Sequence, residues 1–327
     1  MEIITTDEIL HQALKLYNLK QPVAEFIRHS ENMTYKITDI NKKYLLRIHK
    51  SVTGLCSNIY TNYSRNELIQ NEIELILDLK NNTNLSVQTP IRGLNGNFVQ
   101  TISDNSDNIP VTMLEWVEGE LVRITGTTPE LLFNGGKMIA EMHSFFSSQA
   151  QMNNNYKRYS YDQTILPIIA DEIEDMAHHN IVNLEQSKII FAALDEMRVR
   201  FDELDNMQEK HIIHADLTQN DVVVDKNGLL TPIDFGICGY GHFYMDINLF
   251  NGSFTLSHDV IEGYKSVRNC EIIPYFMEPY IVLGFLLFIR LNAQREKEWN
   301  PSFEPIEEWC RDIFKPLADK INFVKME

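Results

Sequence analysis

Three closely spaced aspartates, Asp216, Asp221 and Asp234, offer the chemistry around which this chain is organised. They lie in His211-Ile-Ile-His214-Ala-Asp216-Leu-Thr-Gln-Asn-Asp221-Val-Val-Val-Asp225, followed by Thr231-Pro-Ile-Asp234-Phe-Gly236. An apolar lead-in, a polar loop and a β-branched run precede an Asp225-Lys-Asn-Gly228 turn and a second short strand, which is a hairpin pattern. Such a hairpin brings the three carboxylates to neighbouring strand ends. Clustered carboxylates repel one another unless a divalent cation or a proton lies between them. Hard oxygen ligands of this kind suit Mg²⁺, which takes one or two carboxylates and completes its shell with substrate phosphates.

The order His214-x-Asp216-(x)4-Asp221, then Ile-Asp234-Phe-Gly, resembles the catalytic and metal segments of the aminoglycoside phosphotransferase and choline kinase superfamily. These small-molecule kinases are distant relatives of protein kinases, whose H-R-D-x-x-x-x-N and D-F-G elements divide the work in the same way. The resemblance implies that Asp216 is the catalytic base or hydroxyl-positioning group and that Asp234 holds the Mg²⁺ of MgATP. One position departs from the pattern. The family has Asn where this chain has Asp221, and Asn220 is one place too early to substitute without shifting the strand. Asp is a competent oxygen ligand, so Asp221 is read as a metal ligand carrying extra charge; the rival reading is a degraded site.

The elements that must position these groups follow the same resemblance. Tyr44-Leu-Leu-Arg47-Ile is the strand that carries the phosphate-binding cation, Arg47 in place of the protein-kinase Lys, suited to a bidentate grip on phosphate oxygens. The helix around Glu67 to Leu79 supplies the acid that braces it: Glu72 is preferred over Glu67 and Glu74. Val111-Thr-Met-Leu-Glu115-Trp-Val117-Glu-Gly119 resembles the hinge, whose backbone at Glu115, Trp116 and Val117 would hydrogen-bond the nucleotide base. Asp246 resembles a family aspartate that buttresses the catalytic loop. There is no G-x-G-x-x-G, its hairpin position being taken by Ser30-Glu-Asn-Met-Thr-Tyr35, and no Ala-Pro-Glu after Asp-Phe-Gly; both absences point away from a protein kinase.

Periodicity fills in the remainder. Thr5-Thr-Asp-Glu8 is a capping-box pattern ahead of an amphipathic helix with Ile9, Leu10, Ala13, Leu14 and Tyr17. Short β-like segments follow at Pro22–Arg28, Met33–Ile40 and Tyr44–His49. Val87–Pro90 leads toward a hairpin around Leu94-Asn-Gly96-Asn, with Phe98–Ile102 as its return strand. Thr128-Pro129-Glu130 starts a helix running to Phe146, on which His143 reads as a packed core histidine. Gln149–Tyr161 reads as an Asn-rich loop, Asp171–Asp175 as a solvated acidic run, Leu184–Leu204 as a long helix, and Ile261–Phe323 as helical.

With 327 residues, 44% of them hydrophobic, the chain can form two lobes sharing one cleft. Four scattered cysteines suit a reducing compartment with free thiols. The N-terminus has early acids and no uninterrupted apolar core, unlike a signal peptide. The longest apolar run, Ile281–Ile289, is far short of the roughly 18 residues of a membrane span. A cytoplasmic, soluble protein is expected. The net charge of −17 argues against nucleic-acid and anionic-membrane partners, and nearly all of it, −15, falls in residues 118–327. That acidic half would attract a cationic acceptor.

The expected fold is α+β and two-lobed like a protein kinase, with a β-rich nucleotide-binding lobe (1–117) ending in the hinge and a helical catalytic and substrate lobe (118–327). The expected activity is ATP- or GTP-dependent, Mg²⁺-assisted phosphorylation of a hydroxyl on a small, cationic molecule such as an aminoglycoside or amino alcohol. Alternatives are a metabolic kinase for homoserine or a sugar and, in another class, a catalytically weak nucleotide-binding scaffold.

Overall fold

The computed structural model of the chain describes residues 6–29, 32–50, 61–104, 107–151, 156–295, 298–299 and 306–327. Thr5, of the expected capping box, and Ser30-Glu31, of the expected hairpin tip, lie outside the described residues. After α1 (Thr6–Leu14), strands β1 (Pro22–His29), β2 (Met33–Asp39), β3 (Lys42–Ile48), β4 (Gln100–Asp104) and β5 (Asp107–Glu115) form an antiparallel sheet in the order β1-β2-β3-β5-β4. Side chains alternate across a strand. One face of β2 and β3 therefore sends Met33, Tyr35, Ile37, Leu46 and Ile48 into a core with Ile9, Ala13 and Tyr17. The register sets Thr34, Arg47 and Thr112 side by side in one row on the other face.

Between β3 and β4 runs α2 (Arg65–Asn82). Ser64 caps it through a reciprocal box with Glu67, satisfying two otherwise orphaned N–H groups. Its buried face is Leu68, Ile69, Ile73, Leu75, Ile76 and Leu79, with Glu72 the single charged member. Leu68, Leu75, Ile76 and Leu79 enter the larger core, so α2 is shared between sheet and helices.

The rest is mainly helical. Short β6 (Glu120–Leu121) and α3 (Val122–Thr125) lead into α4 (Pro129–Gln151). Then come β7 (Tyr159–Ser160), α5 (Leu166–His178) and α6 (Leu184–Met207). Four short strands follow: β8 (His211–Ile213), β9 (Val222–Val224), β10 (Leu230–Pro232) and β11 (Gly239–Gly241). Helices α7 (Tyr244–Asn251), α8 (His258–Lys265) and α9 (Glu278–Ala293) complete this part. Gly136 in mid-α4 lies against α8, where a Cβ would come within 2.0 Å of the Val260 carbonyl; the glycine is the reason the two helices approach so closely. Arg200 on α6, fully buried, binds Glu196 at 2.9 Å and Glu278 at 2.6 Å and so ties α6 to α9. No helix among the described residues is long and apolar enough to cross a membrane.

The two-lobe, kinase-like α+β architecture expected from the sequence is the one observed. Three local expectations differ. Val87–Pro90 does not pair with β4 as a hairpin: it makes one bridge, Pro90 to Leu114, while β4 pairs with β5. Proline has no N–H to extend a ladder. The segment ending at Tyr161 is no plain loop, since β7 runs parallel to β11. Between Ile261 and Phe323 helix is interrupted, by irregular chain and a 3₁₀ turn (Pro274–Phe276) before α9 and by a short pair at Gln294–Arg295 and Glu298–Trp299.

Candidate active site

Strands β9 and β10 form a hairpin closed by local chemistry. The Asp225 carboxylate accepts the N–H groups of Asn227 and Leu229, both at 2.8 Å, and Gly228 takes the left-handed φ of +82° that glycine tolerates. The register pairs Pro232 with Val222, and one step further the Ile233 N–H donates to the Asp221 carbonyl at 2.9 Å. That bond sets Asp221 beside the residue preceding Asp234. Thr218 Oγ1 donates to Asp221 Oδ2 at 2.5 Å and orients the carboxylate.

Asp216 leaves β8 on a loop held from beneath by Asp246 of α7, which is fully buried. Asp246 Oδ2 accepts the His214 N–H at 2.7 Å and Oδ1 the Ala215 N–H at 2.8 Å, while His143 Nε2 lies 2.9 Å from Oδ2. Ala215, with a φ of +66°, is a left-handed non-glycine residue, and Asp234 has a φ of +65°. Both chemically important turns are thus held in conformations that surrounding bonds must impose. Burial keeps the His143 and His214 imidazoles neutral, His214 Nε2 lying 3.0 Å from the Ile233 carbonyl and its ring against Phe235. His143 is a packed core residue, as its sequence position suggests, and it also carries Asp246.

Across the cleft, Arg47 of β3 is 5% exposed and Glu72 of α2 3% exposed. Arg47 Nη2 donates to Glu72 Oε1 at 2.7 Å, and Nη1 lies 3.6 Å from Asp234 Oδ1. Burial works against the guanidinium charge, and the carboxylates of Glu72 and Asp234 more than offset it. Arg47 Nε is buried with no hydrogen-bond partner among the described residues. Of the competing acids, Glu67 caps α2 and binds Lys157 at 2.7 Å.

Arg47, Glu72, Asp216, Asp221 and Asp234 line one cleft of about 1200 Å³. Glu115, Trp116 and Val117 do not: they border a separate cavity of about 240 Å³. The Glu115 N–H donates to Thr89 and the Trp116 N–H to Lys43, while the Val117 N–H has no acceptor among the described residues. No group of three or more His, Cys, Asp or Glu side chains among the described residues is arranged to hold a metal. The three aspartates therefore share a cleft without forming a three-carboxylate cage. Two oxygens from protein and the rest from phosphate is a set that still suits Mg²⁺. Asp221 carries the signature of an uncompensated acid: burial, with Asp234 adding to it, pushes its carboxyl up to about 6. The Asp171–Asp175 run sits on α5 with Asp171, Glu174 and Asp175 exposed, outside this cleft.

Three contributors escaped the sequence reading. Arg28, at the end of β1, reaches Asp234 Oδ2 at 2.8 Å. Thr218 orients Asp221. Arg158, buried in the segment read as a loop, donates to the carbonyls of Leu68, Phe235, Gly236 and Cys238 at 2.6 to 3.0 Å. It fastens α2 to the turn that carries Asp234. Only a pair of basic residues, Lys157 and Arg158, in an otherwise uncharged, Asn-rich stretch hinted at it.

The Asp221 shift gives a stability test. Its folded carboxyl titrates near 6 against an ordinary value of 3.8, so the folded state holds a proton the unfolded chain has released in that window. The contribution to stability is complete below about pH 4 and lost as pH rises through 6. Asp221→Asn is expected to make the metal-free protein about 1–2 kcal/mol more stable at pH 7.5, the shift being discounted because the carboxylate faces the cleft. At pH 4 the two proteins should melt together; a pH-independent difference in thermal melts with chelator present would refute the assignment.

The matches to known proteins agree with this geometry. Residues 23–259 match the family model described as "Phosphotransferase enzyme family". The chain belongs to the phosphotransferase enzyme family. No curated protein sequence matches it. Among solved structures, a microcompartment-associated aminopropanol kinase is similar at 19% identity and a TM-score of 0.67, with 95% of this chain and 94% of that one covered. An amicoumacin kinase bound to AMP-PNP, Ca²⁺ and its antibiotic is similar at 18% identity and a TM-score of 0.71, covering 99% and 96%. A spectinomycin phosphotransferase with ADP and spectinomycin follows at 12% identity and a TM-score of 0.65, covering 97% and 98%. At these identities the likeness is one of fold. Family membership makes the chain a small-molecule phosphotransferase.

Proposed function

We propose that this phosphotransferase moves the γ-phosphoryl group of ATP or GTP to a hydroxyl of a small acceptor bearing a cationic group, with amino alcohols and aminoglycosides as model acceptors. The observation that carries the reading is the convergence of Asp216, the Asp221–Asp234 pair and the Arg47–Glu72 pair on one cleft. Asp216 would orient the acceptor hydroxyl and accept its proton. Arg47, braced by Glu72, would hold the phosphate tail. Asp221 and Asp234 would hold Mg²⁺, which when bound neutralises charge on the β- and γ-phosphates. The backbone of Glu115 to Val117 would receive the base, with the Val117 N–H as the donor left over. Residues 1–117 would thus be the nucleotide-binding lobe ending in the hinge, and residues 118–327 the catalytic and substrate-binding lobe. Phosphoryl transfer asks little covalent chemistry of a protein, so positioning and charge neutralisation would suffice.

Nucleotide use is supported by structural relatives solved with AMP-PNP, ADP or GDP, and an amine on the acceptor by the aminopropanol kinase likeness. A second reading, a weakly catalytic nucleotide-binding scaffold, draws support from Asp221 standing where the family pattern has Asn. Release of ADP or GDP with Mg²⁺, across aminoglycosides, choline, ethanolamine, homoserine and simple sugars, separates the two. Acceptor-dependent turnover is expected; nucleotide binding with no turnover on any acceptor would favour the scaffold.

A further inference from the structure

Among the described residues, the acidic surplus of 118–327 does not line the cleft. Among its described lining residues the carboxylates are Glu72, Asp216, Asp221 and Asp234, all of them in the machinery already described. Beyond Asp216 the wall is built instead from Leu249, Phe254, Ile281, Phe285, Phe288 and Trp309, with Asn248 and Ser253 as polar relief. Helix α9 explains how. Its middle, Tyr280 to Ile289, carries no charged residue: Val282, Leu283, Leu286 and Ile289 are buried, and Ile281, itself buried, shares with the more exposed Phe285 and Phe288 a single face that borders the cleft. Trp309 packs against both phenylalanines, 4.9 Å from the Phe285 ring and 5.7 Å from that of Phe288, giving an aromatic platform. Trp309 ends a separate short helix, Ile306–Trp309, that passes directly into a π-turn, Cys310–Phe314, a feature frequent at functional sites. Phe288 remains 50% and Phe254 41% exposed on the same cavity. Contiguous exposed apolar surface opening on a polar reaction centre marks a binding surface rather than unused core.

We infer that the acceptor is amphipathic, with its hydroxyl end at Asp216 and an aliphatic or aromatic body lying on the Phe285–Phe288–Trp309 platform. A compact polycation, which would need several carboxylates in the wall, is the acceptor this surface disfavours. The inference rests on the transfer reading for the hydroxyl end and on the wall alone for the body.

Calorimetric titration of alaninol, leucinol and phenylalaninol, with kanamycin as the polycationic comparator, tests the body without requiring turnover. Each buried methylene is expected to tighten binding about three- to fourfold, so leucinol should bind at least tenfold tighter than alaninol. Phe288→Ser and Phe254→Ser, which change exposed side chains, should flatten the series, with their thermal melts confirming that they fold. Equal affinity along the series, absence of binding by all three amino alcohols, or tighter binding of kanamycin would overturn the inference. A graded series in a protein that turns over no acceptor would keep the wall and sink the transfer reading. Turnover with a flat series would do the reverse.

Discussion

Asp216→Asn is expected to lower acceptor-dependent nucleotide turnover by about 10³-fold or more, with a melting temperature within a few degrees of the parent. General-base and orienting groups contribute about 10²–10⁴-fold, and here one residue is proposed to do both. Asn preserves the size of the side chain, and the loop's shape is maintained by bonds that do not involve the Asp216 carboxylate: the His214 and Ala215 N–H groups on Asp246, and the Thr218 N–H on the Asp216 carbonyl. Nucleotide affinity should be nearly unchanged, because the proposed phosphate grip belongs to Arg47 and the metal ligands to Asp221 and Asp234. Steady-state assays paired with a nucleotide titration check the result. A variant that keeps a tenth or more of the parental kcat would remove Asp216 from the chemistry.

Arg158→Ala should be the most damaging single change away from the reacting groups, costing about 4 kcal/mol and lowering Tm by roughly 6 °C. The guanidinium spreads four bonds over carbonyls of α2, the turn after Asp234 and Cys238, the residue before β11. Bonds from a charged donor contribute about 1.5–3 kcal/mol each, and carbonyls left buried without a partner add to the loss; partial relaxation and water entry reduce the sum. Arg158→Lys, which cannot span the fork, should recover less than half. Because Leu68 is one helical turn from Glu72, the alanine variant should also loosen Arg47, visible as a raised KM for nucleotide. A thermal shift under 3 °C for Arg158→Ala would contradict this account.

The family, the fold class and the segment from His211 to Gly236 were legible in the chain alone because their determinants are local. A turn of Asp225, Asn227 and Gly228 dictates the hairpin, the β-branched run dictates the strand, and the two together fix which residue faces Asp221 across the ladder. Helices were legible for the same reason: Ser64 and Glu67 cap α2 from within one turn, and the apolar spacing of α4 survives two mid-helix glycines. What failed were segments whose partners are distant. Val87–Pro90 and Phe98–Ile102 look like two arms of a hairpin, yet the return strand found β5, because sheet pairing is decided by non-local competition and Pro90 lacks a donor.

Within the cleft the division is the same. Sequence by itself determined that Asp216, Asp221 and Asp234 occur in an order matched to phosphoryl transfer, and that a strand with Arg47 and a helix with several acids precede them. Tertiary structure decided which acid meets Arg47: Glu67 and Glu72 are alike in composition, and only the face of α2 turned inward distinguishes them. It decided that Arg28 reaches Asp234 from a segment 206 residues away. It also placed Glu115 to Val117 on a 240 Å³ cavity whose lining residues differ from those of the Asp216 cleft, and turned one face of an apolar helix toward that cleft. Backbone geometry and capping are set by neighbours in the chain. Ion pairs, cavity walls and the burial that shifts a carboxyl such as Asp221 arise from groups brought together only when the chain packs, and so they were decided there.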